Sequence, residues 1–115
     1  MITVSFYHDP SGILCGFQME GHAGAGEYGY DIVCSAVSAL AIGCVNSIEA
    51  LTEAGFLEDA AEEGGFLKVI LEPETADDHD AQLLLKSLAL AAGQMAESYP
   101  ENIRIRHIER KNYGR

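Results

Sequence analysis

Apolar and polar residues alternate along the first twenty positions of the chain. Between residues 2 and 7, Ile, Val and Phe alternate with Thr, Ser and Tyr, which is the period of a strand with one buried face. The sequence Asp9-Pro10-Ser11-Gly12 has the composition of a tight turn, because proline presets φ and glycine accepts a positive φ. Alternation resumes over residues 13–20. The pattern predicts a hairpin whose second strand presents Ile13, Cys15, Phe17 and Met19 on one face.

Two longer segments have the spacing of helices. The first is predicted to begin at Asp31, whose carboxylate suits an N-cap, and to run to about Ala54-Gly55. Its first half is small and apolar on every side, which predicts burial on more than one face. The second helix is predicted to start near Asp77-Asp78, where acidic side chains favour the positive end of the helix dipole. It should stop after Tyr99, because Pro100 cannot continue it.

The remaining elements are two strands and the connections between them. Residues 58–65 are predicted to be an acidic connection, followed by a strand over residues 67–71. A last strand begins at Ile103, and its alternation breaks at Ile108, where we expect it to end or bulge. The pattern predicts a single α+β domain spanning residues 1–115, with two helices packed on a four-stranded, mainly antiparallel sheet. The predicted order is strand, strand, helix, strand, helix, strand, and a homodimer would bury more apolar surface than so small a core alone.

Charge is distributed unevenly along the chain. The net charge is −11, but residues 1–103 carry 17 acids against Lys68 and Lys86, whereas residues 104–115 hold five bases against Glu109. Such an acidic body repels a phosphate backbone, so we expect no direct nucleic-acid binding. The acidity would attract a basic partner, although it would also serve solubility alone.

The sequence contains no segment typical of membrane insertion or secretion. The longest apolar stretch, Ile32 to Val45, is shorter than the roughly 20 residues of a membrane-spanning helix, which favours a buried helix. The first residues lack the basic and apolar regions of a secretory signal. We therefore expect no membrane association and a cytoplasmic location, where the three cysteines would stay reduced.

The segment from Gly21 to Cys34 carries the candidate chemistry. Its four glycines predict an irregular, mobile loop, with His22 at one end and Cys34 at the other. A thiol is a nucleophile only as the thiolate, which the N–H groups of a helix start and a nearby imidazole both favour. Twelve residues are long enough for His22 to reach Cys34. We therefore interpret Cys34 as a candidate nucleophile and His22 as its candidate base.

Each of these assignments has a structural alternative. Cysteines are among the most buried residues, so Cys34 could serve packing only, which is how we interpret Cys15 and Cys44. Asp31 could orient the imidazole or only cap the helix. Ser38, one turn after Cys34, could line the same pocket or bond a backbone carbonyl. No closely spaced Cys or His pairs predict a metal site, and nothing predicts a cofactor.

The motifs Gly21-His22-Ala23-Gly24, Tyr28-Gly29 and Asp31 to Ser38 resemble those of the ribosomal-processing cysteine proteases, the Prp or YsxB-like family. The similarity in length and element order extends over the whole chain. The resemblance implies a nucleophile at Cys34, a proton donor and acceptor at His22, and supporting positions at Gly21, Asp31 and Ser38. It also implies a homodimer.

The same resemblance implies a function. Members of that family remove a short N-terminal extension from large-subunit ribosomal protein twenty-seven, cutting after an aromatic residue. The substrate expected for this chain is therefore a basic ribosomal protein precursor. Two other functions compatible with the residues are a non-catalytic ribosome-assembly module, in which the acidic surface binds ribosomal proteins, and a cysteine hydrolase acting on a small amide.

Overall fold

The fold is α+β, with two helices and a mixed sheet. The computed structural model describes residues 1–21, 28–62 and 64–114, and for residues 28–31 it describes the backbone alone. The class and the two helices confirm the prediction. In chain order the elements are β1 (Ile2–His8), β2 (Leu14–Glu20), α1 (Tyr28–Leu51), β3 (Phe56–Ala60), β4 (Phe66–Leu71), α2 (His79–Ser98) and β5 (Ile103–Glu109).

The sheet has five strands in the described part of the chain, in the order β3-β4-β2-β1-β5. The predicted four-stranded sheet is therefore wrong, and the missing element is β3, which occupies the start of the predicted acidic connection. β3 lies at an edge and is exposed along most of its length, so its sequence shows no alternation between buried and exposed positions. β1 pairs antiparallel with β2 but parallel with β5, and β5 is the other edge strand of the sheet.

The core lies between one face of the sheet and the two helices. The strand register places Phe6, Phe17 and Val69 in one row across β1, β2 and β4, and all three are fully buried. The buried face of α1, which includes Val37 and Ile48, packs in the same cluster. The two helices therefore cover a single face of the sheet, and within the described residues the opposite face carries no helix.

The first helix differs from its prediction in two respects. It begins at Tyr28, three residues before Asp31, so Asp31 lies within the first turn and is not the N-cap. Over residues 32–51, whose side chains are described, only one face is buried, since Ile32 and Ile42 are more than half exposed. Residues Ile32–Leu51 have the length and mean hydropathy, 1.7, of a membrane-spanning helix. The core helix of a globular domain meets the same criteria when, as in α1, one apolar face packs on a sheet.

The other boundaries follow the sequence more closely. Asp78 caps α2 by accepting a hydrogen bond from the backbone N–H of Ala81 at 2.9 Å. The helix ends at Ser98, one residue before the predicted end at Tyr99, which is its C-cap. The last strand continues through Ile108 to Glu109 in unbroken parallel pairing with β1, so the predicted end or bulge at Ile108 is wrong. Beyond it, the Tyr113 hydroxyl donates to the Leu71 carbonyl at 2.6 Å and holds the C-terminal segment against β4.

Candidate active site

Cys34 lies on one flank of α1. It is the seventh residue of the helix, is half-buried, and packs against the edge of the core. Ser38 follows one turn later and Ile42 one turn after that, so the three side chains descend the same flank at intervals of about 5–6 Å. Cys34 is therefore partly exposed at the edge of the core, and Ser38 and Ile42 follow it along the helix.

A cleft of about 330 Å³ lies beside this flank. Ser38 and Ile42 form its helical wall, Met19 of β2 contributes to its floor, and the hairpin of β3 and β4 forms the opposite wall. The residues from that hairpin are Glu58, Ala60, Ala61, Gly64, Gly65, Phe66 and Leu67. Ser38 lines this cleft, but Cys34 is not one of the described residues that line it, so a pocket shared by the two residues stays a prediction. The largely apolar lining suits a hydrophobic side chain.

Gly21 shapes the end of β2 next to this cleft. Its φ is +118°, a conformation that glycine adopts far more readily than other residues. A Cβ at this position would collide with the Met1 carbonyl oxygen and would lie 3.2 Å from the Ile2 Cα. The Gly21 N–H donates to the Gly65 carbonyl at 3.0 Å, which ties β2 to the rim of the cleft. Gly21 therefore has a steric role, directly before His22 in the chain.

The rest of the predicted catalytic group lies outside the described residues. His22 falls in residues 22–27, together with most of the predicted mobile loop, and the side chain of Asp31 is not described. The predicted pairing of His22 with Cys34, and the predicted role of Asp31 in orienting the imidazole, therefore stay predictions. The loop prediction was wrong for residues 28–30, which already belong to α1.

The start of α1 at Tyr28 changes the electrostatic argument for Cys34. The unpaired N–H groups of a helix belong to its first four residues, and the effect of its dipole declines beyond the first turn. Cys34 lies in the second turn. The expectation that the N–H groups of the helix start stabilise its thiolate is therefore wrong for this helix, and the imidazole of His22 becomes the principal candidate for activating the thiol.

The two other cysteines have different surroundings. Cys15 is fully buried, and Cys44 is 8% exposed. The Cys44 thiol donates to the Leu84 carbonyl across the interface between the helices, at 3.6 Å. Burial raises the pKa of each of these two thiols to about 11. Both are therefore protonated packing residues at neutral pH, as their sequence context predicted.

The sequence prediction missed the wall of the cleft that β3 and β4 provide. Glu58 and Gly65 are far from Cys34 in sequence, and only the pairing of the hairpin brings them opposite Ser38. Glycines and acids in a predicted connection carry no local signal for such a role. Within residues 1–21, 32–62 and 64–114, no three His, Cys, Asp or Glu side chains lie close enough to hold a metal ion.

Comparisons with known proteins agree on one family. The family model for "Cysteine protease Prp" matches residues 1–104. The ribosomal processing cysteine protease Prp of Staphylococcus aureus strain Mu50 is 37% identical over 107 residues, covering 93% of this chain and 99% of the relative. The Bacillus subtilis strain 168 protein of that name is 37% identical over 108 residues, covering 90% of this chain and 92% of its own length.

Solved structures are similar over the same range. The structure of an essential ribosomal processing protease Prp from S. aureus in complex with a substrate peptide superposes with a TM-score of 0.85 at 34% identity, covering 93% of this chain and 99% of that one. A second S. aureus structure, which contains a covalently linked product peptide, has a TM-score of 0.84 with the same identity and coverage. SMU.848 from Streptococcus mutans has a TM-score of 0.80 at 35% identity, covering 96% of both chains.

Proposed function

The chain belongs to the cysteine protease Prp family, and on that basis we propose that it is an endopeptidase whose nucleophile is Cys34. The observation that carries the assignment is the contrast among the three cysteines. Cys34 is half-buried and lies one helical turn from a residue of the apolar cleft, whereas Cys15 and Cys44 are enclosed in the core. A peptide bond held beside the cleft has access to the Cys34 thiol alone among the three.

In the proposed reaction, His22 takes the proton of the Cys34 thiol, and the thiolate attacks the carbonyl carbon of the scissile peptide bond. The tetrahedral intermediate collapses as His22 returns the proton to the departing amine, which leaves a thioester on Cys34. Water, deprotonated by His22, then hydrolyses the thioester and restores the thiol. Gly21 supports this sequence by fixing the end of β2 immediately before His22.

The proposed substrate is the precursor of large-subunit ribosomal protein twenty-seven, from which the enzyme removes the N-terminal extension after an aromatic residue. The apolar cleft below Cys34 is compatible with a large hydrophobic side chain. The net charge of −11 favours a basic protein as substrate, because complementary charge accelerates encounter. The names of the relatives, which are ribosomal processing proteases, support the same class of substrate.

The proposal also includes a cytoplasmic homodimer. Large apolar side chains are exposed on both helices, including Leu40 on α1 and Leu83 and Leu90 on α2. Leu40 lines a cleft of about 290 Å³ between α1 and α2, a surface that association with a second copy would bury. The cysteines at positions 15, 34 and 44 are thiols, which suits a reducing compartment.

Incubation of the precursor with the wild type, with Cys34→Ala and with Cys44→Ala tests the nucleophile and the substrate together. Mass spectrometry of the products should show release of the N-terminal extension by the wild type. We expect Cys34→Ala to lower kcat/KM by about 10³-fold or more, because the attacking atom is lost. Cys44→Ala, on the same helix, should stay within about threefold of the wild type. Cleavage by Cys34→Ala at the wild-type rate would exclude this nucleophile.

A further inference from the structure

β3 is an edge strand whose outer side is open in the described structure. Among the described strands it pairs with β4 alone. Two hydrogen bonds fix the orientation of its backbone, since the Ala61 N–H donates to the Phe66 carbonyl and the Glu72 N–H donates to the Gly55 carbonyl. In an antiparallel pair, successive residues direct their backbone groups alternately toward and away from the partner strand. The N–H and C=O groups of residues 56, 58 and 60 therefore point to the open edge.

Glu58 combines this outward backbone with a side chain on the cleft side of the sheet. Its cross-strand partner is Val69, which is fully buried beneath the helices, and directly paired residues share a face. The Glu58 side chain accordingly lines the cleft, opposite Ser38. Its neighbour Asp59 pairs with Lys68 and lies on the other face, the one without helices.

The carboxylates of this edge outnumber the nearby bases, which are Lys68 and Arg110 on the face without helices. Glu58 and Asp59 are exposed in β3, and Glu62 follows in the turn to β4. Within the described residues, no lysine or arginine lies within ion-pair distance of Glu58. The ion pair found among them joins His79 and Asp80. A carboxylate at the rim of a largely apolar cleft favours a basic side chain on whatever binds there.

We propose that the open edge of β3 receives the polypeptide substrate as an added extended strand, and that Glu58 pairs with a lysine or arginine of that strand. This inference rests on the proposed function and identifies how the substrate is held. The backbone of Glu58 supplies one donor and one acceptor to the incoming chain, as in other cases of strand addition. Alternate substrate side chains then face the cleft, and the apolar ones enter it beside Ser38 on the path to Cys34.

Charge reversal within β3 tests the pairing. Glu58→Lys should lower kcat/KM for the ribosomal protein precursor by about tenfold, through a higher KM. Asp59→Lys is the control for net charge, because it makes the same charge change one residue away on the opposite face, and we expect kcat/KM to stay within about twofold. Since the new lysine lies across from Lys68, only this variant should also lose some stability. Both positions are exposed, and thermal unfolding of each variant would verify that the fold is kept.

A charge-swapped substrate completes the test. Each lysine and arginine near the cleavage site is replaced in turn by glutamate, and one replacement should restore cleavage by Glu58→Lys while impairing the wild type. Equal effects of Glu58→Lys and Asp59→Lys, or the absence of any restoring replacement, would overturn the docking proposal while leaving Cys34 as the nucleophile. Loss of all Cys34-dependent cleavage in the wild type would instead overturn the proposed function, and the docking proposal with it.

Discussion

The two flanks of α1 each carry a cysteine, and the surroundings of the two thiols differ. Cys34 and Cys44 are ten residues apart and differ by about 80° around the helix axis, with the buried face between them. The flank of Cys34 faces the cleft between α1 and the β3–β4 hairpin, where Ser38 and Ile42 follow it. The flank of Cys44 faces α2, and its thiol donates to the Leu84 carbonyl.

This difference shows that residue type and helix membership do not decide whether a cysteine is available for chemistry. The surroundings of Cys44 favour the neutral thiol, because a buried thiolate would lose its hydration without gaining a cationic partner. Cys34 is only half-buried, and we propose that a base and a substrate reach it there. The distinction therefore depends on which element packs against each flank, α2 on one side and the hairpin on the other.

The largest expected difference between the cysteines is in their rates of alkylation by iodoacetamide. A pKa of about 11 leaves Cys15 and Cys44 with a thiolate fraction of roughly 10⁻⁴ at pH 7, because a raised pKa keeps the thiol protonated below that value. We expect Cys34 to react at least about 100-fold faster than either at pH 7. Peptide mapping of the labelled sites measures all three rates in one sample.

Repeating the labelling at higher pH tests the raised pKa of Cys44. As the pH rises from 7 toward 11, the thiolate fraction of Cys44 should increase about tenfold per pH unit, and its labelling rate with it. The Cys34→Ala variant is the control, and it should lose the fast phase at pH 7 without any change in the slow ones. Labelling of Cys15 or Cys44 at pH 7 as fast as that of Cys34 would contradict the contrast between the flanks.

Substitution of Gly21 should have a smaller effect on stability and activity, and it should not alter the flank of α1 that faces α2. Gly21→Ala places a Cβ against the Met1 carbonyl in a positive-φ conformation, so we expect a destabilisation of about 1–3 kcal/mol and a roughly tenfold lower kcat/KM. Gly12→Ala is the matched control, because its φ is +95° and nothing lies within 4 Å of the added Cβ. It should cost about 1 kcal/mol and leave kcat/KM within twofold of the wild type.

Thermal unfolding and peptide hydrolysis measure these two effects separately. Labelling of Cys44 in folded Gly21→Ala should keep its wild-type rate, since the flank facing α2 does not contact this glycine. If the Gly21 and Gly12 variants lost stability and activity equally, the steric role of Gly21 at the end of β2 would be wrong.

Much of the fold follows from local patterns. The first hairpin and α2 were predicted from alternation, turn composition and the capping of α2 by Asp78, because each of these signals lies within the element itself. β3 was missed because an edge strand exposed on most of its length needs no apolar period. The early start of α1 was missed because Gly29 and the preceding glycines disfavour a helix, whereas the structure extends the helix through Gly29.

The residues of the candidate site also fall into two groups, those that a local pattern can predict and those that depend on strand pairing. Cys34 and Ser38 were predicted from their local motif and helical spacing, and Gly21 from the family resemblance. The structure supplies a steric reason for Gly21 and a cleft beside Ser38. The wall containing Glu58 depends on the pairing of β3 with β4, which no local pattern specifies. Sequence periodicity thus identified residues that share an element with Cys34, but it could not identify those that reach the cleft from the sheet edge.

The most direct test of the central claim is to isolate the covalent intermediate. The enzyme is mixed with the ribosomal protein precursor, quenched with acid at short times, digested, and mapped by mass spectrometry. The account predicts the N-terminal fragment of the precursor attached as a thioester to the peptide that contains Cys34, and no such adduct on the peptides containing Cys15 or Cys44. Attachment to any other residue, or product formation without an adduct on Cys34 at any quench time, would contradict it.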